Sequence, residues 1–240
     1  PNEDRRVLSP AGLEKSKVHA SLAVKNWTMD IKAHLDGILK PHDVSGNLKM
    51  DVAHLDWQAL HLMDTRFQTS QHLGVRFSSD LRKRYAVEAE MTNATIVTAK
   101  RTSHSKDLFV GFSTSRDSTS AYLRAGDLDL SLEGAGHIES ISGRAEMLMK
   151  KLTEQWNSKH IEQEELREFL PGLCLRISSG PDNPIANYLS MMGLSYGRLF
   201  MDMDSSPTEG LNGEAYLYGL RTDSLVLDTI YLDVQQDMNG

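Results

Sequence analysis

Cysteine is nearly absent from this 240-residue sequence. The one residue, Cys174, excludes an internal disulfide framework and a structural zinc site built on cysteines. A basic excess is missing too. Lys and Arg number 26 against 33 Asp and Glu, a formal net charge of −7. A protein that tracks a phosphate backbone needs positive charge on at least one face, so no nucleic-acid partner is expected. No run of about 18 apolar residues occurs, so no segment reads as a membrane-spanning helix. The Gly-x-Ser-x-Gly elbow and the phosphate-binding loop are absent. Gly134-Ala135-Gly136 would open a dinucleotide loop, but Glu139 stands where its third glycine belongs. That stretch reads as a strand-to-helix turn. The opening Pro1-Asn2-Glu3-Asp4 carries neither an initiator methionine nor a signal peptide, and the chain is expected to be an internal piece of a longer protein.

What is present is alternation with a period of two, which sets every second side chain on the same face of a strand. Val18, Ala20, Leu22 and Val24 alternate with Lys17, His19, Ser21 and Ala23. The series continues through Trp27, Met29, Ile31, Ala33 and Leu35, then Val44, Gly46, Leu48, Met50 and Val52, then Leu55, Trp57 and Ala59. Shorter runs follow at Leu73–Phe77, Tyr85–Met91, Ala94–Thr98, Leu108–Phe112 and Leu128–Leu132. Polar residues fill the alternate positions, which marks antiparallel or solenoidal sheet with one wet face. Asp36-Gly37, Ser45-Gly46, Leu73-Gly74 and Gly126-Asp127 read as turns or bulges, and Pro41 marks a loop.

The period changes after Gly136. Ile138, Ile141, Ala145, Leu148, Leu152 and Trp156 share one helical face, with Ser140 or Ser142 as the expected cap. A second helix is expected over Gln163–Leu170, stopped by Pro171-Gly172. Leu173, Leu175 and Ile177 alternate as a strand. Asn183-Pro184 opens a third helix that ends near Gly193. Strands return at Leu199–Met203, Leu211–Gly219 and Val226–Val234. In the last, the Val226 and Leu225 registers compete for the dry face. The expected organisation is a β region over 1–136, a helix-rich insertion with one short strand over 137–195, and returning strands over 196–240. The fold class is mainly β with a helical insertion.

Polar constellations carry little chemistry. His54, Asp56, His61 and Asp64 suit a solvated strand face better than a metal site, because no third ligand is assured. His34, His42 and Asp43 read the same way. Cys174, between Leu173 and Leu175, reads as a small, partly buried residue without a base to activate it. Asn26-Trp27-Thr28 and Asn93-Ala94-Thr95 match glycosylation sequons of low specificity. Arg82-Lys83-Arg84 is a solvated turn or a contact for anionic head groups. Asp202 and Asp204 are the pair a glycan hydrolase would use, but alternating acids on a wet strand face serve solvation. No enzyme, cofactor or metal is expected.

The dry face is the stronger feature. Trp27, Met29, Ile31, Leu48, Met50, Trp57, Leu128, Leu130, Met201 and Met203 are its candidate lining. The chain holds 11 methionines, whose flexible thioethers pack against a core or against a shape-variable apolar ligand. Alternation alone fits both a closed sandwich core and an open trough.

The sequence resembles the TamB translocation and assembly module family, within the AsmA-like group of Gram-negative envelope proteins. The resembling stretches are Met29-Asp30-Ile31-Lys32-Ala33-His34-Leu35-Asp36-Gly37 through Val44-Ser45-Gly46-Asn47-Leu48-Lys49-Met50, Arg124-Ala125-Gly126-Asp127-Leu128, Asp182-Asn183-Pro184-Ile185-Ala186-Asn187-Tyr188-Leu189, Gly210-Leu211-Asn212-Gly213 and Leu225-Val226-Leu227-Asp228-Thr229-Ile230. The resemblance implies a periplasmic segment of an inner-membrane-anchored protein. It implies a curled, β-taco-like sheet whose apolar groove takes phospholipid acyl chains toward the outer membrane. It also implies a BamA-like barrel partner, with assembly of outer-membrane barrels through sheet edges as the alternative role. The family has no catalytic motif to carry over.

Overall fold

The computed structural model describes residues 5–8, 12–14, 16–222 and 224–236. Strand takes 58% and helix 16%, so the protein is mainly β. Two compact units divide the chain, Pro1–Gly111 and Phe112–Gly240.

The first unit holds β1 (Arg5–Leu8), β2 (Gly12–Glu14), β3 (Lys17–Lys25), β4 (Met29–Lys40), β5 (Asp43–Asp56), β6 (Phe67–Ser79), β7 (Tyr85–Thr98) and β8 (Thr102–His104). From β3 to β7 each strand pairs antiparallel with the next in the chain. β1 and β2 pair with β3, and β8 pairs with β7. No helix occurs among the described residues of this unit.

The second unit takes in the end of β9 (Leu108–Thr114), then β10 (Ser118–Ala125), β11 (Leu128–Ala135), α1 (Ile138–Ser158), α2 (Gln163–Glu168), β12 (Leu173–Ser179), α3 (Pro184–Met191), β13 (Arg198–Ser206), β14 (Gly210–Arg221) and β15 (Val226–Val234). From β10 to β15 the strands pair antiparallel in chain order. β11 pairs directly with β12, so α1 and α2 form an excursion between sheet neighbours. In neither unit do the described strands close into a barrel.

Several sequence expectations change. The strand expected from Trp27 begins at Met29, and Trp27 lies on a bend, 68% exposed. The Asn26 side chain builds that bend by accepting from the backbone N–H of Thr28 at 2.9 Å and of Met29 at 2.8 Å. β5 ends at Asp56, which puts Trp57 and Ala59 in the following turn. The runs expected over 85–91 and 94–98 are one strand. The ladder shifts register there, opposite Ser70 and His72, and Asn93 adopts a left-handed φ of 55°. A bulge of this kind inserts one residue and reverses the alternation, which is why the pattern breaks between Met91 and Ala94. β10 was not anticipated: its inward positions, Thr119, Ala121, Leu123 and Ala125, are mostly small.

Three glycines expected as turns or bulges sit inside strands where the register does not shift. Gly37 and Gly46 face each other across β4 and β5, and Gly74 lies within β6. The β4–β5 turn falls at Pro41-His42. Gly46 lies under the Phe77 ring, where an added Cβ would meet Phe77 Cζ at 2.4 Å. The missing side chain leaves room for an aromatic from the neighbouring strand. The α1 cap is His137 rather than a serine, its Nδ1 accepting from the Glu139 N–H at 3.3 Å. The Asn183 cap and first-turn Pro184 of α3 are as expected.

Gly213 is the tightest backbone approach. Its φ is +145°, and a Cβ there would stand 2.1 Å from the Asp202 carbonyl oxygen. Rotating a side chain relieves nothing, because the obstacle is backbone. We expect Gly213→Ala to cost at least about 2 kcal/mol in urea unfolding. Gly143, inside α1, has nothing within 4 Å of a built Cβ. Gly143→Ala should stabilise by about 0.5–1 kcal/mol in the same assay.

Candidate functional site

The register assembles the alternating residues into continuous rows. In the first unit Leu22, Ala33, Met50, Leu73 and Met91 lie opposite one another across β3 to β7. Beside that row run Ala20, Leu35, Leu48, Val75 and Ala89, then Val18, Gly37, Gly46, Phe77 and Val87. The intervening positions form the opposite face and pair through hydrogen bonds and ion pairs. His19 Nδ1 lies 2.7 Å from Asp36, Lys25 Nζ 3.2 Å from Asp30, and Arg76 Nη2 2.9 Å from Glu88. His72 contacts Asp51 in the same manner. These exposed pairs add little stability each, but they keep this face wet.

Among the described residues of this unit, no helix or second sheet lies over the apolar face. Val52 and Ala94 are its fully buried hydrophobic residues among those described. Leu22, Leu39, Phe77 and Val87 are 37–54% exposed.

The second unit repeats the arrangement. Leu123, Leu130, Ile177, Met201, Ala215 and Leu232 form one row, and Ala121, Leu132, Leu175, Met203, Gly213 and Val234 the next. The register decides the face of β15. Ile230, Leu232 and Val234 join the apolar rows, and Leu227 and Tyr231 take the other side. Here helices reach the sheet. Ile141 of α1 occupies the space above Gly134, where a Cβ would meet its Cδ1 at 2.5 Å. At the other end of the strands a buried polar knot holds α3. The fully buried Asn183 amide donates to Asp127 Oδ1 at 2.8 Å, Ser179 Oγ at 3.0 Å and the Gly180 carbonyl at 2.7 Å. Its Oδ1 accepts from the Ala186 N–H at 2.8 Å. The Tyr196 hydroxyl meets Ser179 Oγ at 2.7 Å.

Of the candidate lining residues, Met29, Ile31, Leu48 and Met50 lie on the first unit's apolar face, and Leu130, Met201 and Met203 on the second's. Leu128 joins them but is only 6% exposed. Trp27 stands off the strand on its bend. Trp57 is half-buried beside the sheet end, where its Nε1–H donates to Thr69 Oγ1 at 3.0 Å and its ring meets Phe67 edge-on at 6.3 Å. Leu22, Leu35, Leu73, Val75, Ile177 and Leu217 belong to the same faces and were legible in the alternation, though not singled out as lining.

The polar candidates resolve into local roles. Asp56 accepts from the Ala59 N–H and from Gln68 Nε2, and these bonds hold its carboxyl below the usual range. It shapes the turn after β5. His61 and Asp64 are exposed in the following loop. Cys174, Asp202 and Asp204 bring possible ligand atoms within 4.8 Å on the second unit's polar face. Burial, then Asp204, pushes the Cys174 thiol up, which keeps it protonated at neutral pH. Arg176 sits 3.3 Å from Asp202 and offsets its charge.

The class this geometry defines is a mainly β protein of antiparallel, amphipathic sheet whose apolar faces are part-exposed. Compared with protein-family models, curated proteins and solved structures, the chain matches none.

Asp127 links the α3 knot to pH. Burial raises its pKa, but hydrogen bonds from Asn183 and the backbone of Asp182 and Gly180 outweigh it, so the net shift is downward. A carboxyl lowered by folding contributes stability above its unfolded value and loses it as pH falls through the folded one. Acid titration should therefore weaken the second unit below about pH 4, and Asp127→Asn should flatten that dependence. Thermal melts from pH 7 to pH 2.5 would check both, read at the α3 end by Tyr196 fluorescence or NMR.

Proposed function

We propose that this chain is a periplasmic segment of a TamB-like, inner-membrane-anchored envelope protein that passes phospholipid along its apolar sheet faces. The observation carrying this reading is the set of apolar rows across β3 to β7, with no covering layer among the described residues of that unit and polar pairs behind it. Bare apolar rows gain roughly 25 cal/mol per Å² when acyl chains cover them. This attraction has no preferred direction, so a lipid can slide from row to row without breaking hydrogen bonds. Methionines at Met29, Met50 and Met91 give the surface shape tolerance. In this reading the sheet curls about its apolar side, phospholipid acyl chains are the cargo, and a BamA-like outer-membrane barrel receives the full-length protein. No catalytic step is required.

A second reading draws on β15. Among the described residues it pairs only with β14, and Val226 and Leu232 on it are 70% and 51% exposed. An open edge of this kind accepts an added strand, as an assembly factor for outer-membrane barrels would require.

Photo-reactive residues separate the readings. Placed at Ile31 or Met50, they should crosslink phospholipid, and at His34 or Lys49, on the opposite face, they should not. Leu35→Asp with Leu48→Asp should lower the lipid crosslink from Ile31 several-fold, since each buries an unpaired charge against an acyl chain. Equal crosslinking from both faces, or none, rejects the conduit. Crosslinks of barrel-strand peptides to β15, with no lipid on either face, would favour the second reading.

A further inference from the structure

We propose that the strand end of the first unit that carries the β6–β7 turn docks on an anionic lipid bilayer. Docking is independent of the acyl-chain reading above, since a membrane can hold this rim whether or not lipid moves along the rows. The turn is Asp80-Leu81-Arg82-Lys83-Arg84, and residues 81–84 are all exposed. In a chain of net charge −7, three consecutive cations reverse the sign locally. Lys40, also exposed, adds a fourth from the β4–β5 turn, which the pairing of Val44 with Ser79 sets beside this one. Among the described residues, no ion pair or side-chain hydrogen bond holds any of these four side chains. The Asp80 carboxylate attracts Arg84, but its Oδ1 is occupied by the backbone. It accepts from the N–H of Arg82 at 2.9 Å, of Lys83 at 3.0 Å and of Arg84 at 2.8 Å. The Leu81 N–H donates to Ser79 Oγ at 2.9 Å, and the Tyr85 hydroxyl donates to the Arg82 carbonyl at 2.9 Å. The turn is thus fixed by its own polar groups while its cations face solvent, and a loop already fixed loses little order on binding.

Apolar neighbours make the partner a bilayer rather than another polyanion. Leu81 is 55% exposed on a left-handed φ of 57°. That backbone region disfavours leucine, so the turn holds a bulky apolar side chain in water at a local cost. Leu39, Val44, Ser79 and Tyr85 form the last row of the apolar face at the same rim, and Leu39 is 54% exposed. Cations beside exposed leucines and a tyrosine match the layers of a membrane surface. Lipid phosphates meet Arg82, Lys83, Arg84 and Lys40, the leucines reach the acyl boundary, and a tyrosine suits the head-group level between. A nucleic-acid backbone would satisfy the cations and leave Leu81 and Leu39 in water.

The test is co-sedimentation of the full chain with vesicles of phosphatidylglycerol and phosphatidylcholine, against vesicles of phosphatidylcholine alone. Binding should require the anionic lipid and weaken as salt rises. Arg82→Gln with Lys83→Gln and Arg84→Gln should weaken it about a hundredfold. Lys100→Gln with Arg101→Gln removes two charges from the β7–β8 turn, at the opposite end of β7, and should leave binding within about twofold. Leu81→Gly suits the left-handed φ, so it keeps the turn, and should weaken binding about tenfold. Equal binding to both kinds of vesicle overturns the proposal, as does unchanged binding in a triple variant that circular dichroism shows to be folded. Unchanged binding in Leu81→Gly overturns the bilayer assignment, because bare charge attraction would serve any polyanion. Binding to polyglutamate as tight as to the anionic vesicles also overturns it, and assigns the rim to an acidic protein segment. Lipid crosslinks at Ile31 and Met50 read the conduit separately. Their absence with vesicle binding retained rejects the conduit alone, and their presence without vesicle binding rejects the docking rim alone.

Discussion

Cross-strand register is the constraint on which the rest of the structure depends. A strand places alternate side chains on opposite faces, but a two-sided sheet arises only when neighbours keep the same phase. From β3 to β7 that phase is kept, and bulges near Ala53 and Asn93 absorb the two places where the alternation slips. One slip left uncorrected would set Leu48 and Met50 among Asp36 and His34. The His19–Asp36 hydrogen bond and the ion pairs of Lys25 with Asp30 and Arg76 with Glu88 follow from the same register, and each sits directly across the ladder.

A sheet with one apolar side is an incomplete layer. Domains ordinarily bury such a side against a second sheet or helices. The first unit has no helix among its described residues, and its large apolar side chains remain part-exposed. In the second unit helices meet the sheet at the strand ends, with α1 and α2 at one and α3 at the other. Free energy is therefore left unspent on both faces. An acyl chain is a suitable cover, because it matches the surface in polarity and asks for no directional bond.

The polar chemistry of the chain serves placement. Asn183 turns a buried amide into a cap for α3 and a tie to the β10–β11 turn through Asp127. Asp56 forms the turn that carries Trp57. Arg167 clamps α2 to the β13–β14 turn by backbone carbonyls. Asn183 and Arg167 join segments far apart in the chain, while the Asp56 bond is local to its turn. The acidic set of Cys174, Asp202 and Asp204 lies on the opposite side from that surface, with Arg176 against it.

Much of the two-sidedness was legible in the sequence, because alternation is a local property. Met29, Ile31, Leu48, Met50, Leu130, Met201 and Met203 could be assigned to a dry face from their neighbours two positions away. The helix over 138–158 and the Asn183-Pro184 start of α3 were equally local signals. The open facing of those residues was not local. Gly37, Gly46 and Gly74 read as turns or bulges, yet they are strand positions without a register shift, and Gly46 makes room for Phe77 thirty-one residues on. β10 carries no clear alternation, because Thr119, Ala121 and Ala125 are small and show their role only beside β11. The face of β15 stayed open until its pairing with β14 set it. Sequence alone determined which side chains share a side of a strand, since that depends on backbone geometry within one segment. Tertiary structure decided which strands lie together and how little covers their apolar side, since pairing and packing join residues that no local pattern connects.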